Sequence, residues 1–189
     1  PPARGFRIVG AHTDSPTLKV KPHPDTGAVG WQQVAIEVYG GALVNSWLDR
    51  DLGLAGRVAV RHDDGLRTHL LHVDRPLLRV PQLAIHLDRD VATSGLKLNP
   101  QQHLTPVWGL GRPTEGAFAG FVADELGVDV DAVIAWDLVC VDTTRAALIG
   151  RDQELLASGR LDNLLSCWAA VTALAGPPLP AEGAPLDPS

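Results

Sequence analysis

The sequence predicts a β-rich unit inserted into an α/β unit, on three observations. Short runs that alternate apolar and polar residues fill the middle of the chain, roughly 22–150. A strand-like run, IVGA, precedes them and ends on His12-Thr13-Asp14. The clearest helical pattern, LLSCWAAVTALAG, follows them. The expected parts are 1–21, 22–150 and 151–189, strand-rich in the middle with strand and helix pieces at the two ends.

The elements follow in order. Residues 6–11 read as a strand leading into the His-Thr-Asp turn. Val34, Ile36 and Val38 alternate with polar or small neighbours, and Gly40-Gly41 ends that strand. Over RVAVRHDDGLRTHLLHV, two runs flank Asp63-Asp64-Gly65, a dipeptide signal for a tight hairpin. RVPQLAIHL alternates again, with Ile85 and Leu87 on one face and Ala84 and His86 on the other. Thr114 is placed to cap a helix carrying Phe118, Phe121, Val122 and Leu126, stopped by Gly127. AVIAWDLVCVD, 132–142, returns to strand character. In the last helix Leu164, Trp168, Val171 and Ala175 share a face, and Gly176-Pro177 stops it.

Composition narrows the function. Of 189 residues, 45% are hydrophobic, enough for a packed core. The net charge is −6 and no basic stripe occurs, which argues against nucleic acid as a partner. No apolar run reaches the ~20 residues of a membrane-spanning helix, so no membrane partner is expected. Cys140 and Cys167 lie in apolar runs and read as buried thiols of a reducing, cytoplasmic setting. The chain opens at Pro1-Pro2 and closes in GPPLPAEGAPLDPS, a linker composition, so it reads as part of a longer protein.

Three constellations carry chemistry. Residues i and i+2 of an extended segment point the same way, so His12 and Asp14 can serve one site. An isolated His-x-Asp is more often a plain turn, with Asp14 capping local backbone groups. Asp162 sits at a helix start, as an N-cap or as a ligand that the helix dipole tolerates. His86 reads as a solvated strand histidine. Asp49, Arg50 and Asp51 in WLDRDLGLAGRV suggest paired charges at a bend.

Together, GAHTDSPTLKVKP, GWQQVAIEVYGG, WLDRDLGLAGRV, RVPQLAIHL and SGRLDNL, in this order and spacing, resemble the aspartyl aminopeptidase family of dizinc metallopeptidases. The resemblance runs nearly end to end. It implies an α/β catalytic domain interrupted by a β-rich dimerisation domain. It implies two zinc ions (Zn2+) per active site, with His12 a ligand to one and Asp162 the carboxylate that bridges both. Asp14 would orient His12, as outer-shell carboxylates do. His86 would reach into the partner subunit's site and help stabilise the oxyanion. The substrates implied are peptides with an acidic N-terminal residue, cleaved by a homo-oligomer.

The resemblance also marks what this chain lacks. The family's Glu-Glu pair, its later Asp and His ligands and its basic specificity residue have no counterpart in residues 1–189. Two further readings therefore stand beside the aminopeptidase. The chain alone is an inactive assembly module, or the whole is a dizinc exopeptidase of other specificity.

Overall fold

The structure, a computed structural model, describes Gly5 and residues 8–176. The elements in order are β1 (Thr17–Ala28), β2 (Trp31–Tyr39), a 3-10 turn (Val44–Trp47), β3 (Asp51–His62), β4 (Gly65–Arg79), the one-turn helices α1 (Val91–Ser94) and α2 (Pro100–His103), and β5 (Val107–Leu110). Then come α3 (Ala117–Leu126), a 3-10 turn (Val130–Ala132), β6 (Val133–Asp142), β7 (Ala147–Ile149), β8 (Leu155–Ala157) and α4 (Leu161–Ala175). The chain is thus mostly β-sheet with few helices.

It divides into two units, one of residues 16–157 and the other joining the N-terminal segment up to Ser15 with the segment from Ser158 onward. The first unit is a closed six-stranded barrel in the order β1-β2-β5-β4-β3-β6, with every named pairing antiparallel. Closure removes open sheet edges. Inward-facing positions at period two fill it: Leu18 and Val20, Val34 and Ile36, Leu52 and Leu54, Val58 and Val60, Leu138 and Cys140. Phe118 and Val122 of α3 join this core, and Phe118 lies against Trp108 and Trp136. Gly56 is required where β3 meets β6. Its φ is +148°, and a Cβ there would stand 2.1 Å from the Asp137 carbonyl oxygen.

The β3–β4 hairpin turns at Asp63-Asp64 as expected, and its strands run past the 57–73 read from sequence. Other expectations need correction. No strand forms over residues 8–11, and residues 6 and 7 lie outside the described ones. A strand needs a hydrogen-bonding neighbour, and no described strand pairs with this segment. RVPQLAIHL is not a strand beyond Arg79 either. Val80 makes one bridge with Leu48, Pro81 has no N–H to donate, and Ile85–Leu87 form a turn closed by Leu87 N–H to Ala84 O at 2.8 Å. His86 is therefore an exposed turn residue.

Thr114 does not cap α3 with its side chain. Gly116 holds the cap position, and the remote carboxylate of Asp25 accepts the backbone N–H groups of Gly116 and Phe118 at 2.9 and 3.0 Å. Gly127 ends α3 in the left-handed conformation, as the sequence predicts. The charges of 49–51 pair with other elements rather than with each other: Arg50 with Asp142, and Arg79 with Asp49 and Asp51.

In the second unit the described residues form one helix, α4, and no strand. Asp162 is not its N-cap. Arg160 occupies that position at φ +62°, which puts Asp162 in the first turn. The predicted apolar stripe does lie on the helix, but Leu164, Trp168 and Val171 are exposed.

Candidate metal centre

The His12–Asp14 segment is a strap with no regular secondary structure, held on the first turns of α4. The Ser166 hydroxyl and the Cys167 thiol both donate to the His12 carbonyl oxygen, at 3.3 and 3.2 Å. Asn163 Nδ2 donates to Ser15 Oγ at 2.7 Å. Residues 163, 166 and 167 are spaced i, i+3 and i+4, so one helix face grips both ends of the strap.

That grip sets His12 Nε2 3.4 Å from Asp162 Oδ2, with side chains 47% and 75% exposed. The separation can be tested against zinc. Imidazole nitrogen and carboxylate oxygen each sit about 2.0–2.2 Å from zinc, so two tetrahedral corners stand about 3.3–3.5 Å apart. The pair fits two corners of one ion. It does not make a full site, since no group of three or more His, Cys, Asp or Glu side chains could hold a metal among the described residues. Asp14 is exposed on the same strap. His86 belongs to the barrel unit.

Two arrangements escaped the sequence reading. His62 and His69 face each other across the β3–β4 hairpin, Nε2 to Nε2 at 2.9 Å with nearly parallel rings. The register sets His69 opposite Val58 and His62 opposite Gly65, so the pair is a diagonal contact that only the side-chain positions make visible. The second is Asn163, 6% exposed, whose Oδ1 is buried and has no hydrogen-bond partner among the described residues. An unmatched buried polar atom costs about 1–3 kcal/mol and calls for an explanation. Its only sequence signal was its place beside Asp162 in SGRLDNL.

The rest of the chemistry is structural. Cys140 and Cys167 are free thiols. Burial pushes the Cys140 thiol up to about 12, so it stays protonated and packs as a small apolar group. A cavity of about 290 Å³ lies in the barrel unit between Gln33, Leu83, Asp88, Lys97 and His103, and neither His12 nor Asp162 lines it. Among the described residues no helix is long and apolar enough to cross a membrane.

The chain is similar to known proteins over most of its length. The family model described as aminopeptidase I zinc metalloprotease (M18) matches residues 1–177. The chain is 60% identical over 182 residues to the probable M18 family aminopeptidase 2 of Streptomyces coelicolor, covering 96% of this chain and 41% of that protein. Among solved structures it is similar to a chain of the Ape4 and Nbr1 complex, with TM-score 0.79 and 36% identity over 87% of this chain and 35% of that one. It is also similar to the mApe1 dodecamer of S. cerevisiae, with TM-score 0.67 and 28% identity over 87% of this chain and 37% of that one. The chain spans about two-fifths of the length of the curated relatives it matches.

Proposed function

The chain belongs to the aminopeptidase I (M18) family of zinc metalloproteases, and from that premise we propose that it is part of a zinc-dependent aminopeptidase that removes N-terminal Asp or Glu residues from peptides. The observation that carries the proposal is the 3.4 Å approach of His12 Nε2 to Asp162 Oδ2. In this reading His12 offers an imidazole nitrogen at one metal corner. Asp162 would offer its carboxylate beside it. Asp14 accepts from the His12 ring and holds its orientation. When bound, zinc acts as a Lewis acid on the scissile carbonyl and brings the pKa of water near neutrality. The acidic preference rests on the five motifs shared with aspartyl aminopeptidases.

His86 serves a neighbouring subunit. It is exposed in a turn, with its ring available to another molecule, and it would donate to the oxyanion forming in the partner's site. The dodecamer among the structural relatives supports a homo-oligomer. The unpaired Cys140 and Cys167 suit a cytoplasmic location. For residues 1–189 alone, a second reading is favoured by the two-corner donor set: an assembly module with no activity of its own.

The test is hydrolysis by the full-length, zinc-loaded protein of dipeptides with N-terminal Asp, Glu, Leu or Lys. Acidic residues should be released fastest, and a chelator should stop release. Equal rates on all four would leave an exopeptidase of other specificity, and no release from any would overturn the assignment.

A further inference from the structure

We propose that Asn163 is a positioning residue for the metal centre: its buried amide, bonded to Ser15, fixes the strap so that His12 meets Asp162 at ligand spacing. The inference rests on the metallopeptidase reading and deepens it.

Three observations carry it. First, Asn163 is the one buried residue of α4, while Leu164, Leu165 and Trp168 are exposed. What this helix buries among the described residues is an amide rather than an apolar side chain. Second, the amide spends its N–H on Ser15, the residue that follows His12-Thr13-Asp14. The other end of the strap is held at the His12 carbonyl by Ser166 and Cys167. With both ends fixed, the imidazole is carried on a short span of set length. Third, Asn163 precedes the next helical turn and directly follows Asp162, so the strap and the carboxylate are referenced to the same rigid turn. A packing role alone would not require the directed N–H bond from this amide to Ser15. Ligand orientation explains why an amide is kept there. Outer-shell partners of this kind change metal affinity about 10–100-fold when removed.

The experiment uses the full-length protein and two readouts besides activity. These are zinc affinity by competition with a chromophoric chelator and the visible absorption of the cobalt(II) form. Four variants are compared: His12→Ala, Asn163→Ala, Ser15→Ala and the Asn163→Ala/Ser15→Ala pair. His12→Ala should abolish tight zinc binding. Asn163→Ala and Ser15→Ala should each weaken it about 10–100-fold and shift the cobalt spectrum. The double variant should be no weaker than Asn163→Ala alone, because both remove one link. Ser15 lies outside any helix or strand and is half-buried, so it carries the test if Asn163→Ala fails to fold. Wild-type affinity and an unchanged cobalt spectrum in Ser15→Ala and Asn163→Ala would overturn the positioning role, as would additive losses. If His12→Ala keeps full zinc affinity, the ligand reading itself is wrong and the inference falls with it.

Discussion

His12 Nε2 stands 3.4 Å from Asp162 Oδ2, although the barrel's residues lie between them in the chain. Two donors at that spacing suit zinc, but catalytic zinc sites have three protein ligands. Residues 1–189 alone should therefore lose zinc on dialysis. The full-length protein should keep it, and His12→Ala or Asp162→Asn should remove it. Metal analysis after dialysis checks this, and stoichiometric zinc on residues 1–189 alone would contradict the ligand inventory.

His86 should act in trans. In the full-length protein His86→Ala should retain zinc and fold but lose about 10²–10³ in kcat, the cost of one oxyanion donor. Mixing it with His12→Ala should restore part of the activity on subunit exchange, since one site of a mixed pair then has both its metal ligand and its donor. Exchange without recovery, or full activity of His86→Ala, would return His86 to an ordinary surface role.

Asp25 should matter to the barrel rather than to chemistry. Its carboxylate accepts two N–H groups at the start of α3. Asp25→Ala should cost about 1–2 kcal/mol, as a lost cap does. For a unit of this size that lowers Tm by about 2–8 °C. A circular dichroism melt of residues 1–189 measures it, and an unchanged Tm would mean water replaces the carboxylate fully.

Asp137 gives the barrel an acid-sensitive link. Lys19, first through its hydrogen bond and then with Arg57, holds the Asp137 carboxyl below its ordinary 3.8. A depressed carboxyl stabilises the fold above its unfolded pKa, and that contribution is lost as pH falls through the folded value. Lys19 is raised above its ordinary 10.5, chiefly by the same hydrogen bond, so its contribution holds below 10.5 and fades at higher pH. The urea midpoint of Asp137→Asn should lie below wild type by a constant margin from pH 5 to 9 and converge with it below pH 4. The groups are partly exposed, so the margin should also shrink in 1 M salt. A margin unaffected by acid would show that it does not arise from the charge of Asp137.

Much of the barrel was legible because a half-buried strand writes its burial at period two. Val34 and Ile36, or Val58 and Val60, declare their face without help. The 79–87 run shows where that signal fails. Alternation records side-chain chemistry, but a strand also needs a neighbour for its N–H groups, and Pro81 gives none. The cap on α3 was misread for a related reason. Thr114 is local and visible, whereas Asp25 comes from β1 and becomes a cap only once the barrel closes.

The sequence by itself determined the family, through five ordered motifs. It also determined the antiparallel hairpin, through Asp63-Asp64-Gly65, and the end of α3 at Gly127, because backbone conformation at such points is set by the residues themselves. Only the tertiary structure decided that His12 meets Asp162, that Asn163 is buried against Ser15, and that His62 faces His69. Those contacts join residues whose separation in the chain carries no local signal. They exist because side-chain packing on the hairpin and the grip of α4 on the strap fix distances that propensity and periodicity do not encode.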